Sequence, residues 1–205
     1  VFEDTVEEYV RAIEAGARAA QEKQGAERYD AAVAVLRDEV VPAFERLDGL
    51  RAFFPAWRRE GVAHTVAVAL NNRGMIHQNK GDLDRAIADF DRAIKANAYY
   101  DAALNNRGVA YKSKGQLERA IKDFDRAIQL NPNFYQAYAN RALIWRSLGD
   151  AGRAIADYHA ALQLNPSYDT AYIGRGNLYR NSGRMDEALR DFEQAIQLDT
   201  TDARA

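Results

Sequence analysis

The chain has 205 residues, 47% of them hydrophobic and 28% charged, with a formal net charge of −2, so it carries enough apolar material for a sizeable core and enough charge to wet its surface. That balance excludes the global basic field that holds nucleic acid, and the absence of cysteine excludes disulfides, thiolate chemistry and cysteine-based zinc sites. No apolar run approaches the roughly 18 residues of a membrane-spanning helix.

Val1 stands where an initiating methionine would, as expected of a cut or processed chain whose targeting segment would already be gone. The compartment is therefore not readable, the cytoplasm being favoured over the periplasm. Residues 1–66 are helical in character: the alanine- and glutamate-rich stretch from Val6 to Gln24, then Tyr29, Ala32, Val33, Leu36 and Val40 at helical spacing, with Gly25 between the two. This reads as a long, degenerate hairpin. Pro42, the "RLDGLR" stretch and "FFPAWRREG" then break the pattern. Phe44, Phe53, Phe54 and Trp57 need burial, either as a cap over the open end of the next helices or as a protein interface.

From Ala67 onward the chain repeats itself in steps of 34 residues. Gly74, Gly108, Ala142 and Gly176 form one column; Gly81, Gly115, Gly149 and Gly183 a second; Ala86, Ala120, Ala154 and Ala188 a third; Phe90, Phe124, Tyr158 and Phe192 a fourth; Ala93, Ala127, Ala161 and Ala195 a fifth. Within one unit Leu117, Ala120, Ile121, Phe124, Ala127 and Ile128 trace a single apolar helical stripe, and Leu104, Gly108 and Tyr111 trace another before it. Gly115 marks the turn between them. Pro132 and Pro166, each preceded by asparagine, end the second helix, because proline lacks the amide and disfavours helical geometry one residue earlier. Each unit is thus a helical hairpin, and the units run 67–100, 101–134, 135–168 and 169–202.

These columns resemble the tetratricopeptide repeat, matching at Gly108, Tyr111, Ala120, Phe124, Ala127 and Pro132 and their equivalents. His77 in the tyrosine column, and Ala98 and Thr200 in the proline column, depart from it. The resemblance implies an all-α, right-handed superhelical solenoid of antiparallel helix pairs, with residues 1–66 as an N-terminal helical cap. It also implies that the first helices line a concave groove, and that the protein is a scaffold for other proteins and not an enzyme, the alternatives being a targeting or regulatory domain of a larger enzyme or assembly and a self-associating structural subunit. Leu189, Phe192 and Ile196 carry the apolar stripe to the last unit without a polar helix after it. Further residues or a partner chain, as in a homo-oligomer, should cover that face.

The polar insert "LNNRG", present at 70–74 and 104–108, supplies the candidate site. Asn106 lies about 200° around the helix from Leu104, and Arg107 about 300°, on the flank of the core stripe. Arg73, Arg107, Arg141 and Arg175 are each followed sixteen residues later by Asp89, Asp123, Asp157 and Asp191. A guanidinium facing the partner helix needs a carboxylate, so these are expected as structural ion pairs within hairpins; the alternative is arginines lining a ligand site. Asp91 and Asp125 are expected on the solvated outer face.

Asn72, Asn106 and Asn140 point away from the core, with Asn71 and Asn105 beside the first two. An amide offers both a donor and an acceptor, which suits the main chain of an extended peptide whatever its side chains. The column resembles the asparagine ladder in the superhelix of O-linked N-acetylglucosamine transferase, which holds peptide main chain; the other reading is family inheritance with only local or water contacts. It fails at the fourth unit, where Gly174 stands. Gln78, Lys112, Arg146 and Arg180 recur on the same face, so the groove grows more basic along its length and an acidic segment is the favoured partner. The carboxylate-clamp members of the family are matched less well, since their basic positions fall on Gln136 and Asn140 or on Thr170 and Gly174. His64, His77 and His159 are scattered, and no catalytic, metal or cofactor constellation is expected.

Overall fold

The structure, a computed structural model, describes the backbone of residues 56–202 and the side chains of 63–198. The expected hairpin within 1–55 and the aromatics Phe44, Phe53, Phe54 and Trp57 lie outside the side chains described. Eight helices and no strand are found among the described residues: α1 (Ala56–Asn79), α2 (Leu83–Ala96), α3 (Asp101–Ser113), α4 (Leu117–Leu130), α5 (Tyr135–Ser147), α6 (Ala151–Leu164), α7 (Asp169–Asn181) and α8 (Met185–Asp202). The expected break across "FFPAWRREG" is not there from Ala56 on. A single glycine, Gly61, lowers helix propensity by about 1 kcal/mol, too little to stop a helix that starts just after a proline and is held by packing further along.

The turn glycines have a backbone reason. Gly81, Gly115, Gly149 and Gly183 have φ of 80°, 73°, 81° and 75°, the left-handed geometry that ends a first helix and that only glycine adopts without strain. Two of the second helices are capped by an aspartate: Asp82 Oδ1 accepts from the Arg85 amide at 3.2 Å and Asp150 Oδ1 from the Arg153 amide at 2.9 Å. The second helices stop at Asn97, Asn131 and Asn165, whose side-chain oxygens accept from the amides of Tyr99, Asn133 and Ser167 at 3.0, 3.1 and 3.1 Å. This turn is present at Asn97 although Ala98 replaces proline, so the asparagine is the common stop signal. Where the column reads Asp199 and Thr200, α8 runs on to Asp202.

The chain divides into two compact units, one ending at Lys114 and the other starting at Gly115. In the first, α1 packs antiparallel on α2, α2 on α3, and α1 also touches α3. In the second, α5 pairs with α6 and α7 with α8, α4 and α6 pack on the first helices that come after them, and α5 touches α7. The cores consist of small residues around one aromatic per repeat: Ala86 and Ala110 around Phe90 in one unit, and Ala142, Ala154, Ala161 and Ala171 around Tyr158 in the other. Alanine lets the helices approach closely. The ring then fills the space between them, and its burial stabilises the fold by about 2–3 kcal/mol. Successive first helices therefore lie side by side and present one continuous face within each unit.

Candidate functional site

The arginine column sits at the edge of that face and ties helix to helix. Arg73 Nε donates to Asp89 Oδ2 at 2.7 Å, and its Nη2 to Oδ1. Arg141 makes the same fork with Asp157 at 2.8 and 2.7 Å, and Arg175 with Asp191 at 2.8 and 2.7 Å. Two parallel charge-assisted bonds satisfy a buried carboxylate as a single contact could not. Arg107 and Asp123 fall in different units.

Arg107 and Arg141 also reach back to the preceding helix, a link that the sequence did not reveal. Arg107 Nη1 donates to Asp91 Oδ1 at 2.6 Å and Arg141 Nη1 to Asp125 Oδ1 at 2.6 Å. Asp91 and Asp125 are exposed as expected, but each ties its helix to the first helix of the next repeat. The available signal was the spacing, since Asp91 precedes Arg107, and Asp125 precedes Arg141, by the same sixteen residues that separate each arginine from its own-hairpin aspartate. Hydrogen bonds to Asp157 first, and to Asp125 after the opposing cost of burial, hold the Arg141 guanidinium above its ordinary range. In the third repeat His159 takes the aspartate's place, its Nδ1 lying 3.3 Å from Nη1 of Arg175 in the fourth.

The asparagines divide into two classes. Asn71 and Asn105 are 3% and 7% exposed, so they are enclosed between helices and not open on the surface. Asn72, Asn106 and Asn140 are half-buried. Asn106 Nδ2 donates to Asn71 Oδ1 at 2.9 Å, linking α3 to α1, and Asn105 Nδ2 reaches Asn106 Oδ1 at 3.3 Å. The expectation that Asn106 stays clear of the helix stack therefore does not hold. Its amide joins one first helix to the next. An asparagine has more bonding capacity than these contacts use, so the linked amides are fixed in orientation and still able to bond further.

Of the basic column, Gln78 and Lys112 are half-buried, with Gln78 Oε1 enclosed and without a hydrogen-bond partner among the described residues. Arg146 and Arg180 are exposed and form no ion pair among the described residues. The neighbouring arginines behave differently: Arg153 stacks 3.6 Å over Trp145 while pairing with Asp150, and Arg184 stacks 4.2 Å over Tyr179. Arg146 and Arg180 thus remain available as exposed positive charges. No group of side chains among the described residues could hold a metal ion, and no helix among them is long and apolar enough to cross a membrane.

Comparison with known proteins agrees with this geometry. Profiles described as tetratricopeptide repeat match residues 67–100, 102–134, 135–168 and 170–202. No curated protein matches the chain by sequence. Among solved structures, the crystal structure of the MamA protein superposes with a TM-score of 0.70 at 21% identity, covering 94% of each chain. A MamA RS-1 double mutant gives 0.70 at 15% identity, covering 96% of this chain and 98% of its own. The first such repeat domain of Spaghetti (RPAP3), solved bound to the HSP90 peptide SRMEEVD, gives 0.55 at 25% identity over 57% of this chain and 93% of its own. With four repeats matched across most of its length and an all-helical fold to go with them, the chain belongs to the tetratricopeptide-repeat family.

Proposed function

We propose that the chain is a non-catalytic scaffold that binds extended, acidic sequence of a partner protein on the inner faces of its first helices, each unit offering its own face, α1 with α3 and α5 with α7. The observation that carries the reading is a half-buried amide on first helices of both units, together with the exposed Arg146 and Arg180 of the second unit, which form no ion pair among the described residues. Asn72, Asn106 and Asn140 offer donors and acceptors to a main chain, and Arg146 and Arg180 select for carboxylates through the field they set up. Lys112 and Gln78 lie in the same column, while Asn71 and Asn105 act from behind by holding the outer amides in place. The related repeat domain bound to an HSP90 peptide supports a peptide ligand in general. The polar Gln136, Thr170 and Asn140, and Gly174, where clamp members carry basic residues, argue against that particular peptide.

A fluorescein-labelled peptide of alternating Asp and Ala, titrated by fluorescence polarisation at low salt, tests this. Replacing Asn72, Asn106 and Asn140 together by alanine should weaken binding by about 1 kcal/mol for each amide engaged and leave the helical circular dichroism intact, because alanine is the better helix former. Unchanged affinity would remove the amides from the site. A second reading, association through the end of the array, is favoured by one observation: Met185, Leu189 and Ile196 of α8 are exposed.

A further inference from the structure

The asparagine column stops at Gly174, and the side chain that stops it is Tyr158. In the first and fourth repeats the aromatic of the second helix lies over the glycine of its own first helix. A methyl built on Gly74 would stand 2.6 Å from Phe90 Cε1, and one on Gly176 would stand 2.9 Å from Phe192 Cε1. The third repeat has Ala142 at that place; Tyr158 packs in one cluster with it and also lies against the glycine of the next first helix. There a methyl on Gly174 would stand 2.5 Å from Tyr158 Cζ and 2.7 Å from its Oη. Ala142, Tyr158 and Gly174 are thus a coupled replacement of Gly, Phe and Asn. A phenolic oxygen now occupies the space in which the fourth asparagine side chain would begin.

That oxygen has no internal use. Tyr158 is 1% exposed, and its Oη is enclosed without a hydrogen-bond partner among the described residues, a state that costs stability a phenylalanine would not lose. Phe90, Phe124 and Phe192 in the same column show that the fold does not require the hydroxyl. Burial pushes the phenol up from its ordinary value, with Arg146 pulling the other way, so the group keeps its proton and can donate as well as accept.

We propose that Tyr158 Oη is the fourth rung of the ladder, a hydroxyl that hydrogen-bonds the main chain of the extended partner segment where the other repeats use an asparagine amide. This rests on the main-chain-binding reading above. The oxygen is enclosed in the free chain, so binding requires the side chains that cover it to move aside.

The test titrates Tyr158→Phe and the triple asparagine variant side by side with the alternating Asp-Ala peptide, and records the melting curve of each. Tyr158→Phe is expected to bind about five-fold more weakly, the equivalent of one hydrogen bond, while melting no lower than the parent because no internal bond is lost. Unchanged affinity for Tyr158→Phe beside a weakened triple variant overturns the rung and leaves the groove reading standing. Unchanged affinity in both, or no binding by the parent, overturns the groove reading and the rung with it. A lowered melting temperature for Tyr158→Phe would mean that the hydroxyl is bonded inside the chain, and would overturn the rung on its own.

Discussion

An arginine with a carboxylate sixteen residues to either side does two structural jobs, and they differ in worth. Arg141 forks onto Asp157, which is buried, and reaches Asp125, which is half in water. Removing the guanidinium strands a buried charge, whereas removing the outer aspartate releases only a screened contact. Arg141→Ala should therefore lower stability by about 2–3 kcal/mol in urea denaturation, and Asp125→Ala by less than about 1 kcal/mol. Equal losses would show that the own-hairpin fork is no stronger than the link to the previous repeat. The fork was legible in the sequence because a guanidinium on the flank of an apolar stripe demands a partner, and the sixteen-residue spacing names one. The outer link was not, since Asp91 and Asp125 lie on a polar face where a carboxylate needs no partner to be explained.

Helices and their turns were legible because their signals are local: an apolar stripe, a turn glycine, a proline that ends the second helix; the aspartate caps and the asparagine that folds back on its own turn were not read. Whatever depended on a side chain from another helix was hidden. Asn106 looked free by helical angle alone, yet Asn71 of α1 stands within bonding distance of it. Gly174 looked like a mere gap in the ladder, although Ala142 and Tyr158 depart from their columns with it. Two glycine replacements separate local from tertiary control. Gly152 lies in the first turn of α6, and a methyl there would meet only Asp150 Oδ1 at 3.6 Å, so Gly152→Ala should stabilise by about 0.5–1 kcal/mol through helix propensity. The same change at Gly174 gains the same propensity but drives the methyl into the Tyr158 ring, and overpacking of this kind costs about 1–3 kcal/mol. Thermal melts of the two variants should move in opposite directions. A rise for both would show that the ring has room to retreat.

Over the whole molecule, the four-repeat array was readable from its columns alone, since each aromatic and small residue recurs where two helices must meet. The apolar stripe of the last repeat was readable too, and it is exposed in the structure: Leu189 is 57% and Ile196 65% exposed, while Leu162, one repeat before Ile196, is buried. What the columns do not separate is which face receives the partner, because an inner amide and an end-face leucine are both positions that a repeat leaves uncovered. We assign that role to the inner amides and arginines. Proton–nitrogen correlation spectra of the labelled protein, titrated with the alternating Asp-Ala peptide, test it directly through the side-chain amide signals of Asn72, Asn106 and Asn140 and the guanidinium signals of Arg146 and Arg180. These signals are expected to shift together with the backbone of α1, α3, α5 and α7, while those of Met185, Leu189 and Ile196 stay where they are. Shifts confined to α8, with the asparagine amides unmoved, would contradict the assignment.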